Sequence, residues 1–387
     1  MKKNLHWIKI FQYIFINIFI SIFLFEISSY VLFEKFVKNL EPRYKTGFSL
    51  SYGRGYPRYH FKNHPKRGFD ISPGVETVSW TPVDAGPYKV WGNSFGCFDK
   101  ERSFTKRPDI YLAGDSFTWG YAPYYKKFTT IIEKETSSTV MKCGVTHTGQ
   151  RHQFSKFKEI SQKIGYYPKT VIINVSGNDI ANDFAFPHTT IIDGFMVEDT
   201  FLEKKGDQYR IFRENKKALE MKYYTNTTGL NLIMRNINEV LSNYSATYNL
   251  LKHAKRRILL IYWKIAGLNT AGRIGIYDLY SEKKQYPINM YYAEPNRKVL
   301  KEWKKHSVAN NYQLLISLIS YKTGYYKKFK KFLDKEKIKY VSFAQYLSNQ
   351  NLNPEELHWR HDDHFNIKGN RLYAEFLISY LQNDISY

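Results

Sequence analysis

Short apolar runs alternate with amphipathic segments from about residue 105 to the C-terminus. Five of the runs are long enough to be buried strands: Ile110–Ala113, Thr139–Cys143, Thr170–Val175, Leu314–Ser320 and Lys339–Phe343. Helical periodicity is found in 120–135, 151–164 and 322–336, and a last helix is predicted from Asn370 to Leu381. This alternation is typical of βα units, so we predict a three-layer α/β fold with a mainly parallel sheet of about five strands.

The N-terminus is apolar without such breaks. Residues Trp7–Phe33 are dominated by Ile, Phe and Leu and contain only two charged residues, Lys9 and Glu26. Because about 20 apolar residues cross the hydrocarbon core of a membrane, this run predicts a membrane-spanning helix. A cleaved signal peptide has a shorter apolar region that ends at small residues, and residues 26–30 match such a site poorly. We therefore predict an uncleaved single-pass anchor within residues 1–35, with the folded domain outside the cytoplasm.

The rest of the chain divides by its patterning. Residues 36–104 carry Gly, Pro, Tyr and short alternating runs, which predict a lead-in segment of short strands and turns. Residues 105–387 form the α/β domain. Within it, residues 190–300 are too long for an ordinary crossover, so we predict a partly helical insertion or cap beside the functional edge of the sheet. Its helical stretch is expected from Leu230 to Arg257.

Charge and cysteine content narrow the function classes. The formal net charge is +23, but the lysines are spread along the chain and no nucleic-acid-binding motif accompanies them. We therefore expect a solvated basic surface and no nucleic-acid partner. Only two cysteines occur, Cys97 and Cys143, which excludes a disulfide scaffold and a zinc ribbon. They could pair outside the cytoplasm or remain free buried thiols, and both alternatives stay open.

Polar residues with catalytic potential follow the predicted strands. The first strand ends in Gly114-Asp115-Ser116, which alone is typical of a turn or a helix N-cap. The second strand leads into a glycine-containing loop, 144–149, that offers backbone N–H donors. The third strand is followed by Asn178, whose amide could stabilise an oxyanion. Because the carboxyl ends of parallel strands meet at one edge, these groups are expected together.

A fourth segment, His358–Asn370, precedes the last helix and contains both histidines and carboxylates. A histidine here could take the proton of the Ser116 hydroxyl, while an acid two positions earlier holds the ring in the required tautomer.

In this order and spacing the four segments resemble the SGNH/GDSL hydrolase family, over roughly 105–190 and 310–385. The resemblance implies a flavodoxin-like sheet, hydrolysis of ester bonds, and no metal or organic cofactor. It implies that Ser116 is the nucleophile, His364 the base and Asp362 the acid that orients it. The oxyanion hole is then expected from Ser116, Asn178 and Gly149.

Two positions depart from the family pattern. The commonest spacing, Asp-x-x-His, would place the acid at residue 361, which is His361, so Asp362 fits only a shorter Asp-x-His variant, with Asp363 as the fallback. In the second motif His147 stands where a glycine is expected, so the backbone donor of this loop is assigned to His147 or to the nearby Gly149.

Alternative functions remain. Anchored domains of this kind are also similar to the extracytoplasmic enzymes that O-acetylate bacterial polysaccharides, as in the alginate type, and the same triad would serve a polysaccharide O-acetyltransferase. Clustered residues of metal-ligand type suggest a metal-dependent hydrolase, namely His358, His361, Asp363 and His364. An inactive glycan-binding module would have lost catalytic residues that this chain retains. We therefore predict a membrane-anchored serine esterase whose substrate is an acyl ester or an acetylated glycan.

Overall fold

A computed structural model describes residues 2–32, 57, 59–79, 85–205, 208–215, 217–220, 273–275, 290–319, 323–359 and 362–384, with scattered positions between 230 and 258. The chain divides into two compact units. The first comprises Met1–Gly55, Tyr224–Asn269 and Arg360–Asp362, and the second comprises Tyr56–Tyr223, Thr270–Trp359 and Asp363–Tyr387.

The regular elements are as follows. The helices are α1 Lys2–Leu32, α2 Ser116–Trp119, α3 Phe128–Thr136, α4 Gln150–Ile164, α5 Asp179–Ala185, α6 Met290–Ala309, α7 Thr323–Lys335, α8 Phe343–Asn349 and α9 Ile367–Asp384. The strands are β1 Phe61–His64, β2 Gly68–Ile71, β3 Glu76–Ser79, β4 Tyr88–Trp91, β5 Ile110–Gly114, β6 Val140–Lys142, β7 Thr170–Val175, β8 Thr189–Ile192, β9 Phe195–Glu198, β10 Thr200–Lys205, β11 Gln208–Arg213, β12 Arg273–Gly275, β13 Gln313–Leu318 and β14 Tyr340–Ser342. Short 3₁₀ turns cover Tyr124–Lys126 and Pro354–Leu357.

The second unit is built on a five-stranded sheet in the order β14-β13-β7-β5-β6, and every neighbouring pair is parallel. In the register, Gly114 lies opposite Asn174, and Val175 lies opposite Leu318. The last residues of the three central strands therefore reach the same edge. The predicted parallel sheet is confirmed: the bounds of β7 are those predicted, and the other four strands differ from the prediction by one or two residues.

Apolar side chains cover both faces of this sheet. Along β5, Tyr111 points into a cluster with Phe157 of α4 and Trp303 of α6. The adjacent Leu112 points into a cluster on the other face, which α3, α8 and α9 complete. Strands buried on both faces read as continuous apolar runs, which is why the sequence predicted them well. Each such side chain that leaves water contributes about 1.5–3 kcal/mol.

The helix predicted over 120–135 begins eight residues later than expected, at Phe128, and only the short 3₁₀ turn Tyr124–Lys126 precedes it within that range. Helix α2 ends at Trp119, and Gly120 has a left-handed backbone with φ of 82°. A Cβ at this position would lie 2.7 Å from Lys127 Cε, so the tight turn requires glycine. The next α-helix, α3, begins at Phe128.

The lead-in segment packs on the sheet domain through two antiparallel hairpins, β1–β2 and β3–β4. Their apolar side chains share a buried cluster with Trp119 and Tyr121. The two cysteines form a disulfide, Cys97–Cys143, between the lead-in and the end of β6. Of the two alternatives left open by the sequence, the structure therefore has the paired one.

The predicted insertion contains several elements. After the hairpin β8–β9, strands β10, β11 and β12 form a small antiparallel sheet. Every described position between 230 and 258 except Ser245 is helical. Residues 290–300, which the sequence placed in the insertion, form the first half of α6, and Trp303 of this helix packs on Phe154 with ring centroids 4.6 Å apart. Helix α6 therefore belongs to the core, as part of the connection from β7 to β13.

Candidate active site

The strand β5 delivers Ser116 to the carboxyl edge of the sheet. Asp115 caps helix α2, because its Oδ1 accepts the backbone N–H of Phe117 at 3.0 Å, and Ser116 is the first residue of that helix. The backbone is tightly packed at Gly114, where a Cβ would lie 2.0 Å from Thr118 Oγ1. The Gly-Asp-Ser sequence is therefore a short strand-to-helix turn in which the glycine and the aspartate have separate structural roles.

Buried hydrogen bonds connect this turn to the ends of other strands. Asn174 at the end of β7 donates through Nδ2 to Thr118 Oγ1 at 2.9 Å, and its Oδ1 accepts the Tyr373 hydroxyl at 2.8 Å. The Tyr373 hydroxyl also contacts Ser317 Oγ at the end of β13. Buried polar groups that are all paired fix one arrangement, so the turn that carries Ser116 is held by Asn174 of the adjacent strand β7, which Tyr373 connects in turn to Ser317 of β13.

His364 reaches Ser116 from the other end of the chain. Its Nε2 lies 2.7 Å from Ser116 Oγ, although the two residues are 248 positions apart. For this nitrogen to accept the hydroxyl proton, the neutral ring must carry its own proton on Nδ1. A serine hydroxyl and an imidazole at this distance form the nucleophile and base of acyl-transfer enzymes.

The loop that carries His364 is closed by backbone contacts. Residues His358 and Phe365 form an antiparallel bridge, and the backbone N–H of Trp359 donates to the carbonyl of His364 at 3.0 Å. The Trp359 indole donates to the carbonyl of Tyr121 at 2.9 Å. This last bond connects the loop that carries His364 to the segment that follows α2.

Aromatic rings enclose the imidazole. The Tyr121 ring stacks on His364 with centroids 4.1 Å apart and an interplanar angle of 21°. On α2, the Phe117 ring lies 4.8 Å from the imidazole. The Tyr121 hydroxyl is 3.3 Å from Thr146 Oγ1, so the stacking ring is itself anchored. Packing of this kind leaves the imidazole few alternative orientations.

The third strand end adds Ser176 and Asn178. Ser176 Oγ lies 2.6 Å from Asp115 Oδ2 and also contacts Asn178 Oδ1, while its single proton can be donated to only one of them at a time. These contacts turn the Asn178 amide oxygen towards Ser176 and its Nδ2 away from it. Asn178 is thus connected through Ser176 to the aspartate that precedes the nucleophile.

The second strand leads into a loop with an unusual residue. His147 has φ of 60°, in the left-handed region where the family pattern has a glycine. A residue with a side chain loses about 1 kcal/mol of conformational free energy in this region, and His147 adopts it all the same. Burial, together with the nearby charge of His364, lowers the pKa of His147 to about 4, so this second imidazole is neutral at neutral pH.

Gly149, the predicted backbone donor of this loop, precedes helix α4. A Cβ at this position would lie 2.4 Å from Asp183 Oδ1, so the residue has to be small for α4 and α5 to approach. Its participation in an oxyanion hole stays a prediction.

Two further buried carboxyls lie behind the third strand end. Asp179 accepts from the backbone N–H of Ser176 at 2.7 Å and from Gln150 Nε2 at 2.9 Å. Burial and then the neighbouring Asp115 charge raise the pKa of Asp179 well above its ordinary range. Asp183, which accepts from Arg151 N and Asn296 Nδ2, has its pKa raised to about 7 by burial. Burial thus favours the protonated form of both carboxyls.

The two aspartates before His364 differ in exposure. Asp362 is partly buried, Asp363 is exposed, and both lie in the bend before His364. The assignment of Asp362 as the orienting acid stays a prediction. Nδ1 of His358 donates to the carbonyl of Asp363 at 2.6 Å, so this nitrogen has a partner other than a metal.

Within the described part of the chain, no three His, Cys, Asp or Glu side chains converge as metal ligands. His361, a member of the cluster on which the metal hypothesis depends, lies outside the described residues.

Comparison with solved structures adds one observation. No protein-family model and no curated protein matches the sequence. Among solved structures, a protein described as lipolytic and of the G-D-S-L family from Desulfitobacterium hafniense DCB-2 matches with 14% identity, over 70% of this chain and 99% of its own, at a TM-score of 0.35. The chain is similar to proteins of the GDSL/SGNH type.

Two carbohydrate-active structures also match. An acetyl xylan esterase from Butyrivibrio proteoclasticus has 12% identity over 73% of this chain and 66% of its own, at a TM-score of 0.36. A catalytic mutant of an acetylxylan esterase from Geobacillus stearothermophilus has 10% identity over 73% and 95%, at 0.31.

Several residues of the site have no sequence signal. Tyr121 follows α2 in a tyrosine-rich run, and nothing in that run distinguishes the ring that stacks on His364. Ser176 lies two residues before Asn178, where a turn serine is unremarkable in sequence. Their importance arises only from tertiary contacts.

Proposed function

We propose that the protein is a serine esterase of the SGNH type that hydrolyses acyl esters through Ser116 and His364. The observation that carries the proposal is the 2.7 Å contact between His364 Nε2 and Ser116 Oγ at the carboxyl edge of the sheet. Acyl transfer needs a hydroxyl whose proton an imidazole can accept. Here that hydroxyl belongs to the residue that begins a helix after a buried strand.

The reaction follows from this pair. Ser116 Oγ attacks the ester carbonyl carbon while its proton passes to His364 Nε2. The tetrahedral oxyanion collapses, the C–O bond to the alcohol breaks, and His364 returns the proton to the leaving alkoxide. Water then repeats the sequence on the acyl-serine and releases the carboxylic acid and free Ser116.

The remaining site residues have roles that the proposal assigns to them. Asp362 would accept Nδ1–H of His364 and stabilise the imidazolium. The oxyanion would be held by the backbone N–H of Ser116, by Nδ2 of Asn178 and by the backbone N–H of Gly149. The Ser176 contact supports the role of Asn178, because the amide oxygen is turned towards Ser176 and Nδ2, the donor, is turned away from it.

We place the enzyme on a membrane, with its catalytic unit outside the cytoplasm. The apolar part of α1, Lys9–Leu32, has a mean hydropathy of 2.0, and its side chains are mostly exposed, whereas Ser29 is buried. The disulfide Cys97–Cys143 supports an oxidising compartment. A carbonate wash of membranes tests the anchor: the protein should stay in the pellet with residues 1–33 intact, and release of a chain that lacks them would contradict it.

The activity is tested with p-nitrophenyl acetate and the full chain in detergent. Ser116→Ala and His364→Ala should each reduce turnover to the rate without enzyme, while Ser379→Ala should not change it. Ser379 is a matched control because its hydroxyl donates to the carbonyl of Phe376 within α9. Unchanged turnover in a folded Ser116→Ala variant would contradict the assignment of the nucleophile.

The same acyl-serine could also pass its acyl group to a sugar hydroxyl, as in a polysaccharide O-acetyltransferase. The net charge of +23 suits an acidic glycan as substrate or acceptor. Incubation with an activated acetyl donor and an anionic polysaccharide separates the two functions. Acetate without acetylated glycan supports the esterase, and acetylated glycan that depends on Ser116 supports the transferase.

A further inference from the structure

The first unit exposes a row of large apolar side chains between residues 230 and 241. Leu230 is 75% exposed, and Ile233, Met234, Ile237 and Leu241 are 37–56% exposed, all at helical positions. Counted from Leu230, they stand at i, i+3, i+4, i+7 and i+11, which are positions on one side of a helix. Apolar side chains grouped in this way indicate a surface that contacts something other than water.

This segment bonds to the helix that we propose as the membrane anchor. Ser245 Oγ donates to Glu26 Oε2 at 3.0 Å, and the backbone N–H of Thr247 lies 3.3 Å from the same oxygen. Thr247 Oγ1 also donates to Ser29 Oγ at 2.9 Å. Glu26 precedes the end of α1 by six residues, or about 9 Å along the helix axis, so these bonds lie within the apolar part of the helix.

The position of Glu26 explains why such contacts are needed. A carboxylate in an apolar helix is costly unless hydrogen-bond donors reach it inside the membrane. Its neighbours Phe23, Leu24 and Phe25 are 57–61% exposed and would contact acyl chains directly. Leu241 lies four residues, about one helical turn, before Ser245. The backbone N–H of Ser245 donates to the carbonyl of Leu241 at 2.8 Å, so the end of the apolar row lies one turn from the contact with Glu26 of α1.

Basic residues follow the row. The sequence 252–257 contains Lys252, His253, Lys255, Arg256 and Arg257, and Lys255 is exposed. An apolar helix face accompanied by a basic cluster is typical of segments that lie in the interface of a membrane that contains anionic lipid. The apolar row fits the acyl chains, and the basic cluster fits the lipid phosphates.

We propose that residues 230–258 form a second membrane-contacting element, which lies in the lipid interface beside the C-terminal part of α1. The inference rests on the proposed membrane anchor and extends it. The segment interrupts the catalytic unit in sequence, between residues 223 and 270. The catalytic unit would thus be tethered to the bilayer through three covalent connections: the chain that leaves α1 and the two ends of this segment.

The experiment uses the full chain in vesicles of phosphatidylcholine and anionic phosphatidylglycerol that carry a diazirine in the acyl chain. After illumination, lipid adducts are mapped by mass spectrometry. Adducts are expected on α1 and on peptides that contain residues 230–241. None is expected around Val308 of α6, which is 77% exposed and serves as the matched apolar control outside the first unit. Ile233→Glu with Ile237→Glu should lower the adducts on 230–241 by about tenfold and leave those on α1 unchanged.

The outcomes are distinguishable. Adducts on both α1 and 230–241 support the proposal. Adducts on α1 alone overturn it, including the case in which the row is covered by a second copy of the chain. Absence of adducts from α1 overturns the anchor together with this inference. Ser116-dependent ester hydrolysis, measured in the same vesicles, reports on the catalytic proposal independently.

Discussion

The two ends of the Ser116–His364 pair are held by different physical means. Ser116 is 7% exposed and begins a helix whose turn is fixed by buried, hydrogen-bonded polar groups on neighbouring strands. His364 is only partly buried, in a short loop, and its ring is positioned by the stacked Tyr121 and by Phe117. In the proposed mechanism the nucleophile would depend on polar geometry at strand ends, whereas the base would depend on aromatic packing and on Asp362. Substitutions at the two ends should therefore fail in different ways.

Among the residues that support Ser116 and His364, the largest loss of kcat is expected at Asp362, the proposed acid. Asp362→Asn should lower kcat about 10²-fold or more, because an uncharged partner no longer stabilises the imidazolium or selects the Nδ1–H tautomer. Asp363→Asn should change kcat by less than about twofold, since this side chain is exposed. Steady-state hydrolysis of p-nitrophenyl acetate measures both variants. The opposite order would identify Asp363 as the acid.

A smaller loss is expected at the nucleophile end. Ser176→Ala removes the hydroxyl between Asp115 and Asn178, so the Asn178 amide loses the contact that orients it. We expect kcat to fall about tenfold with KM nearly unchanged, because an oxyanion donor acts in the transition state. Ser379→Ala is the control. A rise in KM alone would show that Ser176 shapes the binding of substrate instead.

The stacking ring at the base end should have a still smaller effect. Tyr121→Leu removes an aromatic contact worth about 1 kcal/mol and should lower kcat roughly fivefold. Tyr121→Phe keeps the stack and loses only the contact with Thr146, so it should restore most of the rate. Equal losses in both variants would mean that the hydroxyl, and not the stacked ring, positions His364.

The sequence anticipated the nucleophile end better than the base end. Strands buried on both faces produce continuous apolar runs, so the sequence predicted the places of Ser116 and Asn178, each of which follows such a run, while their catalytic roles stay predictions. The break between α2 and α3 was missed because the left-handed turn at Gly120 depends on its approach to Lys127. Tyr121 and Ser176 were missed because stacking on a distant histidine, or bridging two strand ends, leaves no periodicity in the sequence.

The buried carboxyl of Asp183 gives a pH-dependent test of protein stability. The pKa of Asp183 is about 7 in the folded protein and about 4 in an unfolded chain. Its contribution to the free energy of unfolding is therefore fully present below about pH 4 and is lost as the pH rises towards 7.

Asp183→Asn should consequently reduce the fall in melting temperature between about pH 5 and about pH 8. The exposed Asp363→Asn serves as the control and should keep the wild-type fall. A fall of the same size in Asp183→Asn would show that this acid is ionised in the folded state.

The most direct test of the account is labelling of the full chain with a serine-reactive fluorophosphonate, followed by peptide mapping. We expect one adduct, on the peptide that contains Ser116, with no adduct in Ser116→Ala and much slower labelling in His364→Ala. Labelling that persists in Ser116→Ala, or an adduct on another serine, would contradict the assignment of Ser116 and His364 as nucleophile and base.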